Sequence, residues 1–522
     1  MTTSRREVLL QGCVIGAGII AANMTGMEAL AQGAPKLRRS LHGMAPNDPI
    51  LQTWRDGVRL LKAASGNVSW ANFAAIHGTA NAFNLCPHGN WYFLPWHRAY
   101  LLSYERAVRQ LTGNNEFALP YWDWTQDRQM PPAFVEPTFN GQPNPLFEEQ
   151  RDATPTDSLP DSTVGPGIIN QILVQTPFET FGTSRPVGPD NVAQNNLDQS
   201  WINCERCGTE GTLEATPHDL VHGFVGGIMG QANSALDPLF MMHHCNIDRI
   251  WWTWTQGGGP DSPDPLWSGM TFQNNFLNPD GAPYSPMVSD LLTPEPLGYT
   301  YIDTPLALPS AAASQAAAVV AQSDKYKSLY AVSNVATAKP SGVASYAASV
   351  NAPAATMAKY LEISIDVDAN ALAPVAHRKS PPSGFEALSL TNARQQYLNG
   401  ARCYAFLREV DYAEHANTEY RVFLNCDYLS PNTPTTDRHY VGSFGFFGPQ
   451  GPQGGHGGHG GAEARKPSLG IDLTSTIQRV YGSAATPPEK LRVQIQPVAL
   501  RPAGKANGTV KPSRVEVAII SA

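Results

Sequence analysis

Basic residues are too few and too scattered in this chain to serve a nucleic-acid partner. Lys and Arg number 36 against 44 Asp and Glu, a formal net charge of −8 over 522 residues, and no cluster of Lys and Arg reverses that sign locally. Cysteine is scarce too: there are seven, so a disulfide framework is not what holds a chain of this size together. The pair in Cys204-Glu-Arg-Cys207 fits a small local disulfide, free thiols or half a zinc site, and two ligands in view make zinc the weakest of the three. Long apolar runs are also lacking. Beyond the N-terminus no 18-residue stretch would need a bilayer, so no membrane span is expected. What is present is a globular composition, 42% hydrophobic with 11 Trp, 19 Phe and 18 Tyr, in a chain long enough for two or three domains.

The first 31 residues read as an export signal. Arg5 and Arg6 in "SRREVLL" precede a weakly apolar, Gly- and Ala-rich stretch, and a small-x-small cleavage pattern ends at Ala31. This is the twin-arginine arrangement, which predicts a bacterial protein exported folded, to the periplasm or beyond, often with a prosthetic group already loaded. Residues 32–302 are dense in Trp, Phe, His and helical patterns; residues 48–64, for example, read as an amphipathic helix with Asp48 as cap and Pro49 in its first turn. Residues 303–355 turn abruptly to Ala, Ser and Pro, the composition of a linker. Residues 356–522 carry alternating segments such as "YLEISIDVDA", "EYRVFLNCDY" and "LRVQIQPVAL", the pattern of an all-β sandwich. Within it "GPQGPQGGHGGHGG" reads as a solvated loop whose His456 and His459 are not expected to form a built site. The predicted class is α+β multidomain: a mainly α-helical domain around a four-helix bundle, then a β-sandwich.

The histidines carry the chemistry. "PHDLVHGFVGG" puts His218 and His222 four apart, on one face of a helix that Pro217 can open. "DPLFMMHHCNIDRIWW" adds His243 and His244, neighbours about 100° apart on a helix that cannot easily share one ion. His244 shares its face with Phe240 and Asp248, whereas His243 lies on a stripe with Leu239, Ile247, Ile250 and Trp254, so His244 is the expected ligand. Asp248 is the kind of carboxylate that orients a ligating imidazole or neutralises metal charge. Upstream, "AAIHGTA", "CPHGN" and "WYFLPWHRAYL" supply His77, His88 and His97. Two groups of three imidazoles, with no acidic or thiolate residue at ligand spacing, suit copper, zinc, iron or nickel. Zinc hydrolases and di-iron bundles usually recruit carboxylates, so all-histidine triplets favour copper and dioxygen.

"WYFLPWHRAYL" and "DPLFMMHHCNIDRIWW" resemble the two copper signatures of type 3 copper proteins: tyrosinases, catechol oxidases and molluscan haemocyanins. The resemblance covers about residues 42–301 and implies two copper ions per chain, one on His77, His88 and His97, the other on His218, His222 and His244. It implies aromatic packing by Phe93 and Phe240 and support from Asn246, Asp248 and Arg249 in "N-x-D-R". Cys86-Pro87-His88 is similar to the motif in which a sulfur bonds covalently to the imidazole, implying a Cys86–His88 thioether. Glu214 matches a glutamate that holds an active-site water in plant polyphenol oxidases, and Asp219 stands where many tyrosinases have Asn. "YTY" at residues 299–301 is similar to the motif that closes the plant catalytic domain.

The resemblance implies a bacterial tyrosinase or polyphenol oxidase that uses dioxygen to hydroxylate monophenols and oxidise o-diphenols to o-quinones. By the same resemblance, "GQANSA" (230–235) puts small residues where plant catechol oxidases carry a bulky Phe, which implies an open pocket and hence action on monophenols. A catechol or o-aminophenol oxidase is the alternative, and a haemocyanin-like oxygen carrier a distant one, since nothing in the chain is repeated. The β-domain is expected to act as a lid that keeps the enzyme latent, with Phe444, Phe446 or Phe447 as the plug. The alternative use for it is stability or contact between copies in a homo-oligomer.

Overall fold

The computed structural model describes residues 34–80, 82–186, 204–301, 342–377, 401–413, 416–448 and 465–521, with residues 199, 202, 394, 397 and 400 between them. The expected export signal, residues 303–341 of the expected linker, and His456 and His459 lie outside the described residues.

Five helices organise the first part. Asp48 accepts the Ile50 amide at 2.9 Å and opens α1 (Pro49–Ala63), as its capping sequence predicts. Ser69 caps α2 (Trp70–His77) in the same way. The long α3 (Phe93–Thr112) packs between α1 and α5, and ends on Gly113 in the left-handed conformation. In α4 a π-helical turn, Glu214–His218, runs into an α-helix, Asp219–Val225. Pro217 lies inside that turn rather than opening the helix, and the wider turn accommodates the amide donor that proline lacks. Asp237 accepts the Leu239 amide at 2.8 Å, so α5 (Leu239–Gln256) starts one residue later than its proline suggests.

Three short strands belong to this part: β1 (Lys36–Arg38), β2 (Thr209–Glu210) and β3 (Tyr299–Tyr301). β1 pairs in parallel with β3 and brings Arg38 onto a fully buried ionic network. Arg38 meets Glu105 at 3.0 Å and Asp248 at 3.2 Å; Arg98 meets Asp248 at 2.6 Å. Tyr299 donates its hydroxyl to Asp248 at 2.7 Å, and Tyr301 donates to it as well. Burial works against ionising Asp248, but Arg98 and Arg38 outweigh it and hold the carboxyl below its usual range.

The C-terminal part is a two-sheet sandwich. β4 (Val343–Ser349), β5 (Leu361–Asp366), β6 (Arg402–Ala413), β7 (Thr418–Leu424), β8 (Tyr440–Phe444), β9 (Ser468–Asp472), β10 (Lys490–Ala499) and β11 (Thr509–Ile520) form sheets of order β4-β11-β6-β9-β2 and β5-β10-β7-β8. Two short helices, α6 (Ala369–Ala376) and α7 (Thr474–Tyr481), accompany the strands, so this part is not purely β. β4 corrects the expected boundary at residue 355. Its small residues look like linker, yet they form an edge strand antiparallel to β11, where half-burial asks for little side-chain volume. β2 comes from the helical part and pairs in parallel with β9, so the two parts share a sheet. They exchange core residues as well: Phe447 and Leu500 belong to the helical core, and Ala215 to the sandwich core.

Candidate metal centre

Each histidine is delivered by the element that holds it. His77 ends α2, His97 lies in the first turns of α3, His218 and His222 lie one turn apart on α4, and His244 sits in α5. His88 stands apart on the loop before α3. Ligand atoms of His77, Cys86, His88 and His97 lie within 4.8 Å of one another, and so do those of His218, His222, His243 and His244. The two groups face each other, with the His97 and His244 rings stacked at 4.1 Å.

Hydrogen bonds decide which ring nitrogens are free to bind a metal. A neutral imidazole that donates from Nδ1 leaves a bare lone pair on Nε2. His77 Nδ1 meets the Ala232 carbonyl at 2.7 Å, His97 Nδ1 the Phe93 carbonyl at 2.8 Å, and His222 Nδ1 the Met229 carbonyl at 2.7 Å. His218 Nδ1 meets Asp219 Oδ1 at 2.7 Å. Burial pushes His77 and His218 down to about 3 and the other four candidate ligands well below the usual value, which keeps the rings neutral. Nε2 of His77 and of His218 has no partner. Buried lone pairs converging without protons fit a metal that prefers imidazole.

His243 differs in kind. Its Nδ1 lies 3.2 Å from Trp124 Nε1, and the indole can only donate. His243 Nδ1 is therefore the acceptor, its proton sits on Nε2, and that nitrogen has no lone pair to offer. His244 Nε2, in contrast, lies 3.3 Å from His222 Nε2, aimed at the same point. Proximity alone makes four candidates in this group; the Trp124 bond sets His243 aside.

The supporting residues are placed unevenly. Phe93 lies 4.6 Å from the His97 ring and 4.7 Å from His218; Phe240 lies 4.1 Å from His244 and 4.9 Å from His77, so each phenyl touches both groups. Asp248 has Arg38, Arg98, Tyr299 and Tyr301 as partners rather than the His244 ring, so it fixes α5 within the fold and does not orient the imidazole. Arg249 bonds Asn246 at 2.9 Å and Asp123 at 3.2 Å. The Cys86 sulfur is 3.7 Å from His88 Nε2 and 3.4 Å from His97 Nε2, beside two of the three candidate ligands of its group. Glu214 accepts the Gly89 amide at 2.8 Å and the Thr183 hydroxyl. Burial, then Glu210 and Asp219, raise the Glu214 carboxyl well above its usual range, and burial pushes Asp219 up to about 8 against the pull of Arg206.

Two features of the site leave no mark in the sequence, and the Cys204–Cys207 pair takes one of the forms its spacing allows. The Met229 and Ala232 carbonyls lie on one loop and orient one imidazole in each group; a backbone acceptor leaves no residue signature. Thr183 comes from a segment with no motif at all. Cys204 and Cys207 are disulfide-bonded, and the turn they close lies against the His88 loop. Of the three candidate plugs, Phe447 is the one at the site. Its ring stacks on His222 at 3.9 Å and approaches His88 at 5.1 Å and His218 at 5.5 Å, while Phe444 and Phe446 pack on Tyr420 in the sandwich.

Among the described residues no helix is long and apolar enough to cross a membrane. Residues 67–257 match the family model described as the common central domain of tyrosinase. The chain is 29% identical over 282 residues to tyrosinase HcTyr1 of Hahella sp., covering 50% of this chain and 54% of that one. It is 31% identical over 276 residues to the chloroplastic polyphenol oxidase of Malus domestica, covering 49% and 44%. The aligned region thus spans about half the length of these relatives. In fold the similarity extends further. A latent apple tyrosinase structure superposes with a TM-score of 0.61 over 95% of this chain and 99% of that one at 18% identity, and a latent aurone synthase with 0.60 over 94% and 90% at 17%. The central-domain match falls on the region that carries both histidine groups, so it is residues 67–257 that are similar to the common central domain of tyrosinase.

Proposed function

We propose that this chain binds two copper ions and uses dioxygen to oxidise o-diphenols to o-quinones and to hydroxylate monophenols, with its C-terminal sandwich as a lid. The observation that carries this is the pair of facing imidazole sets, neutral and with Nε2 of His77 and of His218 left bare, beside the Phe447 ring that stacks on His222. His77, His88 and His97 would hold one ion, and His218, His222 and His244 the other. Copper bound there would supply one electron per ion to dioxygen. The chain's own residues do the rest. Met229, Ala232, Phe93 and Asp219 fix the ring tautomers. Phe93 and Phe240 keep water from the rings. Glu214, held by Gly89 and Thr183, is the group placed to exchange a proton with an incoming phenol. Phe447 occupies the space a substrate ring would take, which makes the closed form latent. A Cys86–His88 thioether would lock the loop ligand, and mass spectrometry of the His88 peptide reads it directly.

One observation favours the narrower reading, diphenol oxidation alone. Asp219 is engaged by His218 Nδ1 and is not a second free base for deprotonating a monophenol. Copper per chain, together with oxygen uptake on L-DOPA and tyrosine before and after cleavage between residues 303 and 341, tests the whole proposal. Two coppers and quinone formation are expected; uptake on L-DOPA but none on tyrosine after cleavage selects the narrower reading. Failure to bind copper overturns both. The N-terminal 31 residues are proposed to direct the folded protein to the periplasm or beyond, tested by fractionation of an Arg5→Lys/Arg6→Lys chain. The β-domain as a contact between copies is read by the oligomeric state in solution.

A further inference from the structure

The Cys204–Cys207 turn touches both sides of the closed site. On one side it grips the loop that carries His88. The Arg206 amide donates to the His88 carbonyl at 2.7 Å, the Gly208 amide to the Gly89 carbonyl at 2.7 Å, and the Asn90 side chain to the Cys204 carbonyl at 3.1 Å. The fit is close: a Cβ on Gly89, whose φ is +63°, would stand 2.7 Å from Arg206 Cα. On the other side Arg206 reaches the lid. Its Nη2 donates to the Phe447 carbonyl at 3.1 Å, and its guanidinium lies 5.6 Å from the ring of Tyr412, which stacks on Phe446 at 3.9 Å.

Arg206 itself has φ +55°, a left-handed conformation that a non-glycine residue adopts at a cost of about 1 kcal/mol. Such a residue persists when its surroundings over-determine it. Here the disulfide closes the turn across Glu205 and Arg206, and the His88 carbonyl receives the amide. From this backbone the guanidinium keeps its Nε 3.5 Å from Glu205 in its own turn while its Nη2 extends to the carbonyl of the plug residue.

We propose that Arg206 is a positioning residue that seats Phe447 over the histidines, and that the Cys204–Cys207 turn holds it in register with the His88 loop. This rests on the reading of the sandwich as a lid. Closure is thereby referenced to the metal centre itself: the turn that fixes the loop ligand also fixes the plug.

The test uses the full-length, copper-loaded chain as wild type, Arg206→Met, Arg206→Lys and Cys204→Ser/Cys207→Ser. Two quantities are read: amide hydrogen exchange over residues 440–448, with α5 as internal reference, and the ratio of catechol oxidation rates before and after cleavage of the linker. Loss of one charge-assisted hydrogen bond predicts about tenfold faster exchange over 440–448 in Arg206→Met, with α5 unchanged. The uncut rate moves toward the cut rate, Arg206→Lys restores part of the protection, and the cysteine variant shifts the same way. Unchanged exchange over 440–448 in a folded Arg206→Met chain overturns the proposal. If that chain does not fold, unchanged exchange in both other variants overturns it. If cleavage of the wild type leaves the rate unchanged while Arg206→Met still speeds exchange at 440–448, the seating role stands and the lid reading fails.

Discussion

Truncating Phe447 to Ala asks how much of the proposed latency one side chain supplies. The ring is 4% exposed and belongs to the helical core rather than to the sandwich from which it extends. Burying a phenylalanine contributes about 1.5–3 kcal/mol. Its stack on His222 and its edge contacts with His88 and His218 add about 0.5–1.5 kcal/mol. Closure should therefore weaken by about 2–4 kcal/mol, which shifts the open-to-closed ratio by roughly 30- to 1,000-fold. In uncut Phe447→Ala the rate on L-DOPA should approach that of the cleaved wild type, and cleavage of the variant should add little. Phe446→Ala is the control: it stacks on Tyr412 within the sandwich, so it should destabilise that domain without opening the pocket. An uncut Phe447→Ala chain as latent as uncut wild type, with cleavage raising both equally, would refute the reasoning.

His244→Ala should lower bound copper from about two to about one per chain, whereas His243→Phe should keep both and lose about 1–3 kcal/mol in denaturant unfolding, since Trp124 Nε1 is left without its acceptor; copper loss in His243→Phe with retention in His244→Ala would reverse the assignment. The copper-free protein should lose stability on acidification. His77 and His218 have folded-state values near 3 against about 6.5 unfolded, so the unfolded chain gains protons first, and stability that is full above about pH 6.5 falls as pH drops toward 3, by about 1.4 kcal/mol per pH unit for each ring. A melting temperature that stays flat from pH 7.5 to 5 in chelator would contradict this. Asp248→Ala leaves Arg38 and Arg98 facing an emptied buried site and should cost about 3–5 kcal/mol by denaturant titration; a loss below about 1 kcal/mol would show that the network is not what anchors α5. Glu214→Gln should slow tyrosine hydroxylation more than L-DOPA oxidation, by about 10²-fold if Glu214 carries the proton, and equal effects on both substrates would remove that role.

Much of the candidate site could be read directly because it rests on short-range rules. Pro and Asp at helix starts, an i,i+4 pair on one face, and aromatic residues one turn from a ligand are local, and the structure places Asp48, His218 and His222, Phe93 and Phe240 accordingly. What the sequence hid is non-local. Asp248 lies on the face of His244 but answers to guanidiniums contributed from 210 and 150 residues away. The carbonyls of Met229 and Ala232 and the hydroxyl of Thr183 act through chain reversals that no periodicity encodes. β4 resembles a linker in composition because an edge strand half-covered by its neighbour has no need of the branched or aromatic residues that usually mark one.

The shared sheet and exchanged core residues have a consequence for what a cut in the linker does. β2 remains bonded to β9, Phe447 and Leu500 remain in the helical core, and Ala215 remains in the other, whether or not the backbone between residues 303 and 341 is intact. Nicking therefore turns an intramolecular clasp into a complex of two fragments, governed from then on by mass action. Such a preparation should stay quiet only at concentrations well above those of an activity assay, wake on dilution into the assay and fall quiet again when concentrated, until the freed fragment is degraded.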